Sequence, residues 1–364
     1  MIYFLYNLFT LLLMTSLNRF PDLYKKYFYF SAVVIFTIIF GFRDPSLGTD
    51  TVSYIDIFHQ PDGYREFWFG QFVHLTRSLG FTPETFIFIM TFLVVFTLHY
   101  GYYKWHKRDL LILLYFVSST YMLYSFSLNI MRQGIAISLS ILSAYYLYKR
   151  KYFFSIVGVL LSLVFHSSAI FAIPALLVSS FLGRQRLNIY NLLFLYSTLA
   201  FFILFPIVDV FQLFAKSFLS DTFVGVTILN YFKKTDPNPW FTFSSIFIIV
   251  VFNFYWMSAK RIEYSEKVHF LVNYYFIGFI SCSPFIYMHL VYYRLAWYFM
   301  ILEPLILLLI FTHLFVYLKQ IRDKDYIKRM LEMIMIIFPF LYMFKTYFLT
   351  GGIMRAVDYG TSIF

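Results

Sequence analysis

The stretch IMRQGIAISLSILSAYYLYKRKYFFSIVGVLLSLVFHSS, residues 130–168, holds two apolar runs separated by the basic triplet Lys149–Lys151. Each run approaches the length of about 20 apolar residues that a transmembrane helix needs. A basic turn between two such runs is typical of a cytoplasmic loop, because positive charge is retained on that side of the membrane. The stretch therefore predicts a helical hairpin that places Arg132 and His166 at its outer end.

The rest of the chain repeats this pattern. Of its 364 residues, 61% are hydrophobic and 13% are charged, and the mean hydropathy is +0.72. A soluble protein could not cover so much apolar side chain with polar surface. We predict an all-α integral membrane protein, one polytopic domain over residues 1–364. About twelve transmembrane helices are expected, with ten to thirteen as the range, near residues 1–17, 27–42, 83–103, 110–127, 132–148, 152–166, 168–183, 188–208, 239–258, 268–288, 295–317 and 330–349.

Basic clusters between these segments predict the topology. Six alternate connections hold 19 of the 29 Lys and Arg residues, and these connections are expected to face the cytoplasm. Both termini then lie outside, and the first segment is expected to be a retained helix rather than a signal peptide. Two longer connections, residues 43–82 and 209–238, form external loops, each with a short interfacial helix.

Residues 151–183 contain only enough apolar sequence for two short helices, interrupted at His166, Ser167 and Ser168. We expect a re-entrant hairpin, or a bilayer indented by an external water-filled cavity. The alternative is one long tilted helix. That helix would reverse the sidedness of the later segments and place the basic sequence GRQR, residues 183–186, outside.

The formal charge of +11 suggests nucleic-acid binding at first sight, but the basic residues lie between apolar runs, as topology signals do. We therefore expect a lipid bilayer rather than a nucleic acid as the surrounding partner. The single cysteine, Cys282, excludes an internal disulfide and a cysteine-based metal site. No nucleotide-binding motif occurs and no two histidines have metal-ligand spacing, so neither a cofactor nor a metal is expected.

Polar residues gather at the predicted outer ends of the helices. Ionisable groups at membrane depth usually face a cavity and mark a functional pathway. Each also has a plainer interpretation, such as an interface anchor, a helix end or a hydrogen bond in the packed interior. The candidate site residues are Arg43, Asp50, Tyr54, Asn129, Arg132, Gln133, His166, Ser168, Tyr293, Arg294 and Glu303.

Several arginines around one external cavity suit an anionic substrate, since a guanidinium binds phosphate through two parallel hydrogen bonds. For a membrane protein, a lipid diphosphate fits this chemistry. A histidine beside it can accept a hydroxyl proton. The pattern predicts group transfer from a lipid diphosphate, although a transporter of anionic glycolipids would show similar residues.

The segment NIMRQGIAISLSILSAYYLYKRKYFFSIVGVLLSLVFHSSAIFAIPALL, residues 129–177, resembles the core of the EpsG-type exopolysaccharide polymerases, within the Wzy-like group. The first outer loop is also similar. The matching positions are Arg132, Gln133, Lys149–Lys151, Phe165, His166, Ser168 and Ala169.

This resemblance implies a membrane glycosyltransferase on the outer face of the bacterial inner membrane. It would move a growing glycan from its polyprenyl diphosphate onto the next lipid-linked repeat unit, with a chain-length regulator as a further expected partner. On that reading, Arg132 and Arg294 hold the donor diphosphate and Arg43 assists. His166 is the first choice for the base and Asp50 the second. Gln133, Tyr54 and Tyr293 orient sugars or phosphate.

Three alternatives stay open at this stage. A flippase for lipid-linked oligosaccharides would need polar residues on both faces. An O-antigen-type ligase would use the same donor and differ only in its acceptor. A membrane O-acyltransferase would take its acyl donor from inside, so its histidine should lie on the cytoplasmic side.

Overall fold

The computed structural model describes residues 2–17, 20–45, 47–48, 50–61, 67–205 and 243–321, and positions 210, 213, 217, 333, 334, 336, 337 and 339. Within this part of the chain every regular element is a helix. The prediction of an all-helical fold is confirmed. Most of the predicted second external loop, residues 209–238, and most of the predicted segment 330–349 lie outside the described residues.

Fifteen α-helices can be described, and they are numbered here in chain order. The first nine helices are α1 (Ile2–Leu17), α2 (Asp22–Gly41), α3 (Thr51–His59), α4 (Phe67–Ser78), α5 (Pro83–Trp105), α6 (Leu110–Ser118), α7 (Tyr121–Leu128), α8 (Met131–Tyr148) and α9 (Tyr152–Phe165). The remainder is α10 (Ala172–Leu182), α11 (Ile189–Leu204), α12 (Phe243–Ser258), α13 (Glu266–Ser281), α14 (His289–Met300) and α15 (Glu303–Ile321).

Within the described residues, four helical segments are long and apolar enough to cross a membrane, namely Asp22–Gly41, Pro83–Trp105, Glu266–Phe285 and Val291–Leu318. The bent pair α6 and α7 adds a fifth if it counts as one span. Helices α1, α9, α10, α11 and α12 are apolar but shorter. These helices indicate a membrane protein, while the predicted count of about twelve spans is not confirmed.

The predicted segment 110–127 is not one helix, because the chain bends by 71° between α6 and α7. The hydroxyls of Ser118 and Ser119 both donate to the carbonyl of Tyr115, and Thr120 donates to Val117. Such bonds compete with the helical ladder and promote bends. The side-chain oxygen of Asn7 in α1 is a second acceptor within reach of the same two hydroxyls, 3.0 Å from that of Ser118 and 3.3 Å from that of Ser119.

The short pair predicted over residues 151–183 is present as α9 and α10, joined by a 3₁₀ turn at Ser167–Phe171. His166 has extended backbone angles, φ −157° and ψ 122°, and therefore ends α9. One continuous helix through this region is not what the structure shows. With 14 residues, α9 is about 21 Å long, which is shorter than a hydrocarbon core.

The chain divides into two compact units, one of residues 1–169 and 315–364, the other of residues 170–314. In the first unit α8 packs between α5, α7 and α9, and α2 packs against α5. The connection 43–82, predicted as an external loop, contributes α3, which lies against α5 and α4, and α4 also contacts α9. In the second unit α13 packs against α10, α11, α12 and α14.

Candidate functional site

Arg132 lies in the first turn of α8, and its side chain is half-buried. The first N–H groups of a helix have no intrahelical partners and carry the positive end of the helix dipole. One of them, the N–H of Arg132, donates to the phenol oxygen of Tyr54 at 3.3 Å. The permanent charge of Arg132 thus adds to a helix terminus that already favours anions.

Tyr54, in α3, connects the segment between α2 and α5 to this helix end. It is 4% exposed, and the guanidinium of Arg132 as well as the backbone N–H bonds to its hydroxyl. Burial raises the pKa of Tyr54, an effect that Arg132 opposes and Asp50 reinforces. The phenol therefore stays neutral at physiological pH and can both accept and donate a hydrogen bond.

Phe69 of α4 provides an aromatic face beneath Arg132, with the guanidinium carbon 5.0 Å from the ring centroid. One helical turn further along, Phe72 packs edge-on against Phe165, at 5.7 Å between centroids. Phe165 is the residue before His166. Helix α4 therefore lies along both Arg132 and the end of α9 that carries His166, and these two predicted site residues border the same interfacial helix.

His166 is half-buried and contacts Ser168 through one ring nitrogen. The backbone N–H of Ser168 donates to Nδ1 of His166 at 3.2 Å, and the Ser168 hydroxyl lies 2.7 Å from the same atom. Because Nδ1 accepts a bond from a backbone N–H, the neutral ring carries its hydrogen on Nε2. In this tautomer Nε2 is a hydrogen-bond donor.

Arg43 follows α2 and is 8% exposed. All three of its nitrogens donate hydrogen bonds to groups of the protein: the carbonyls of Phe40, Leu47, Ser127 and Leu128, the hydroxyls of Thr51 and Thr91, and the sulfur of Met131. Burial lowers the pKa of Arg43 to about 10, which still leaves it charged at neutral pH. Its surroundings are packed protein rather than open cavity.

Three further predicted residues lie close by in sequence to these groups. Asp50 is half-buried, precedes α3 as its N-cap residue, and accepts the N–H of Tyr54 on its carbonyl at 3.0 Å. Asn129 is half-buried between α7 and α8. Gln133 is 2% exposed, so it faces the packed interior while its neighbour Arg132 is more open.

The other three predicted residues belong to the second unit. Tyr293 and Arg294 are half-buried in α14, and the ring of Tyr293 packs edge-on against Trp297 at 4.8 Å. Glu303 is 3% exposed in the first turn of α15, where it accepts a hydrogen bond from the hydroxyl of Tyr275 at 3.0 Å. A carboxyl group at a helix N-terminus is favoured by the dipole.

The sequence did not identify Phe69 and Thr91 as parts of this arrangement, whereas Thr51 was expected in a polar patch with Asp50 and Tyr54. Phe69 is one of 50 phenylalanines, and the aromatic-rich helix around it was expected only to lie in the interface. Thr91 lies in the apolar run of α5, 48 residues from Arg43. A polar residue on an otherwise apolar helix was the available signal for Thr91.

Around Arg132 the first unit therefore offers a cation over an aromatic ring, a neutral phenol, a helix N-terminus and a carboxylate on the adjoining helix. These groups can bind an anion and can take a proton from a hydroxyl. Within the described residues, no group of three His, Cys, Asp or Glu side chains is placed to hold a metal ion.

Comparison with known proteins gives one match. Residues 26–360 match the sequence profile of the EpsG family, which covers more than nine-tenths of the chain. No curated protein and no solved structure matches significantly.

Proposed function

The chain belongs to the EpsG family, and we propose that it is a polysaccharide polymerase of the membrane. In this proposal it joins oligosaccharide repeat units carried on polyprenyl diphosphate at the outer face of the bacterial inner membrane. The family indicates a glycosyltransferase-type polymerase in general terms. The lipid-linked donor, the sidedness and the absence of a metal requirement are parts of the proposal.

The observation that carries the proposal is the position of Arg132 at the start of α8. Its guanidinium is half-buried over Phe69, and the adjoining helix terminus favours negative charge. A guanidinium can bind two phosphate oxygens at once. We assign the donor diphosphate to this position. The roles of Gln133, Tyr293, Arg294 and Glu303 in substrate binding remain predictions from the sequence alone.

In the proposed reaction a sugar hydroxyl of the acceptor unit attacks the anomeric carbon of the donor glycan. The new glycosidic C–O bond forms as the bond between that carbon and the diphosphate oxygen breaks. The electron pair leaves with the polyprenyl diphosphate, whose added charge is stabilised by Arg132. The hydroxyl proton passes to a carboxylate or imidazole base.

The contact between Ser168 and Nδ1 of His166 favours Asp50 as that base. With its hydrogen on Nε2, His166 donates to an oxygen of the diphosphate or of a sugar and does not accept a proton there. The order expected from sequence, His166 first and Asp50 second, is reversed in this proposal. Tyr54 and Asn129 would orient the acceptor sugar next to Asp50.

The direct test uses the purified protein in lipid nanodiscs with lipid-linked repeat units as the only glycan. A polymerase converts them into a ladder of products spaced by one repeat unit. Consumption of the donor only after a different acceptor is added would identify a ligase. If the protein is placed in sealed vesicles instead, movement of intact lipid-linked units across the membrane, without any new glycosidic bond, would identify a flippase. Either of these outcomes would overturn the proposal.

A further inference from the structure

Arg43 occupies a place that differs from that of the other predicted site arginines. Its N–H groups donate hydrogen bonds to carbonyl and hydroxyl oxygens from several segments of the first unit. Phe40 is in the last turn of α2, Thr91 is in α5, and Ser127 and Leu128 end α7. With Thr51 of α3 and Met131 of α8, the side chain joins five helices and the loop that follows α2.

Three of the acceptors of Arg43 are of one kind, because the carbonyls of Phe40, Ser127 and Leu128 lie in the last turns of α2 and α7. The last carbonyls of a helix have no intrahelical partners and carry the negative end of the helix dipole. In a membrane, water does not satisfy such groups, so another part of the protein must do so. Arg43 supplies a cation with fixed donors at the C-terminal end of α7, the second half of the helix pair that bends by 71°.

The residues just beyond this end lead directly to Arg132. Leu128 accepts from Arg43 at 3.1 Å, and Met131, the first residue of α8, places its sulfur 3.6 Å from the same nitrogen. Arg43 thus contacts the last residue of α7 and the first residue of α8. Only Asn129 and Ile130 lie between them, and Arg132 follows at once.

The loop after α2 closes over the same junction. Gly48 has φ +88°, and a Cβ placed on it would lie 2.6 Å from the carbonyl oxygen of Leu128. Glycine therefore permits the loop to lie against the carbonyl that Arg43 holds. Thr51, at the start of α3, accepts from two nitrogens of Arg43.

We propose that Arg43 is a positioning residue, which fixes the junction between α7 and α8 and thereby the place of Arg132, without contacting the lipid diphosphate itself. This inference rests on the proposed function of Arg132. It replaces the expectation from sequence that Arg43 assists directly in holding the diphosphate.

The test is a double-mutant cycle on the affinity for a polyprenyl diphosphate, measured with purified protein in nanodiscs. Arg43→Gln should lower the affinity about tenfold, and Arg132→Gln should lower it at least as much. Because Arg43 acts through Arg132, the double variant should bind no more than about twofold worse than Arg132→Gln alone. Losses that multiply would show an independent contact with the ligand and would overturn the proposal.

Thr91→Val provides a second approach should Arg43→Gln fold poorly. Thr91 is fully buried, and the variant removes one hydrogen bond of Arg43 with little change in shape. It should weaken diphosphate binding a few-fold in the native background and not in Arg132→Gln. The matched control is Thr37→Val, since Thr37 is also buried in α2 and, among the described residues, its hydroxyl donates to the carbonyl of Val33 in its own helix. Equal effects of the two variants would contradict the inference.

A readout without ligand separates this inference from the proposed function. In a Cys282→Ala background, Asn129→Cys places a thiol in the junction, and its rate of labelling by a maleimide reports how open the junction is. Adding Arg43→Gln should raise that rate several-fold. If the protein bound no diphosphate but the labelling rate rose, the proposed function would fail, while the role of Arg43 in fixing the junction would stand. An unchanged labelling rate would overturn that role of Arg43.

Discussion

At the scale of single residues, the ring of His166 illustrates how one hydrogen bond decides what a side chain can do. The N–H of Ser168 reaches Nδ1 and leaves the hydrogen of the neutral imidazole on Nε2. A base acting through Nε2 would need the opposite tautomer. The contact is local, between residues two apart, but no sequence pattern distinguishes it from the same residues in another turn.

Two amide substitutions should separate the possible roles of His166. Glutamine places an N–H near the position of Nε2, so His166→Gln should retain a substantial part of the polymerase turnover. Asparagine places its amide near Nδ1 and leaves no group at Nε2, so His166→Asn should lose about tenfold or more, the usual effect of losing one hydrogen bond to a charged group. Turnover would be compared at saturating donor.

If His166→Gln were as inactive as His166→Asn, the donor role would be wrong. A base role for His166 would then be restored, because neither amide can take up a proton at neutral pH. Asp50→Asn offers the complementary control, since it should abolish turnover while sparing donor binding if Asp50 is the base.

At the scale of secondary structure elements, the close approach of α7 and α8 depends on Gly134. A Cβ at this position would lie 2.8 Å from the Cβ of Phe126 and 3.3 Å from its Cα. These atoms are fixed to the backbone of α7, so the helices would have to move apart. Arg132 is two residues away and would move with α8.

Gly134→Ala should therefore destabilise the protein by about 1–3 kcal/mol, as overpacked cores usually do, and should also reduce turnover. Gly70→Ala is the matched control. Gly70 is also helical, but among the described residues its added Cβ would meet only the carbonyl of Pro61 at 3.7 Å, so the change should leave thermal stability unchanged or raise it. Thermal unfolding in detergent would compare the two. Equal midpoints would contradict the tight contact.

The helix positions were largely predictable from sequence, and the break between α6 and α7 was not. Apolar runs and basic turns mark helices because burial in lipid and retention of positive charge act on composition. The bend at Ser118–Thr120 arises from hydroxyl groups that bond within the turn, from Asn7 and from the packing of α1. The contacts with Asn7 join residues more than 100 positions apart. Hydropathy carries no record of such contacts.

The residues of the candidate site were likewise predictable from the sequence only in part. Arg132 and His166 could be selected as residues of special type at helix ends. Tyr54 was also predicted as a site residue, although its bond to Arg132 was not. Phe69 and Phe72 come from α4, which the sequence predicted only as an interfacial helix. Arg43 was assigned to substrate because an arginine at a helix end resembles a ligand until its acceptors are known.

At the scale of the whole molecule, the sidedness of the site separates an outward-facing polymerase from an acyltransferase supplied from inside. The ends of α9 provide a matched pair of exposed positions, Ser167 beside His166 and Lys151 in the basic turn. Removing the only cysteine by Cys282→Ala gives a background for single-cysteine labelling.

In intact cells a membrane-impermeant maleimide should label Ser167→Cys and should label Lys151→Cys only after permeabilisation. The basic triplet favours this orientation because Lys and Arg are retained on the cytoplasmic side. The reverse pattern would place His166 inside and would contradict a site supplied with lipid-linked units from the outer face.

The central claim is that Arg132 binds the lipid diphosphate of a polymerase. Its most direct test is the product ladder formed from lipid-linked repeat units by the native chain, Arg132→Ala and Arg132→Lys, with Arg77→Ala as an exposed arginine control on α4. We predict a full ladder for the native chain and Arg77→Ala, a shortened one for Arg132→Lys, and only single repeat units for Arg132→Ala, since the paired hydrogen bonds to phosphate are lost. A full ladder from Arg132→Ala would contradict the account.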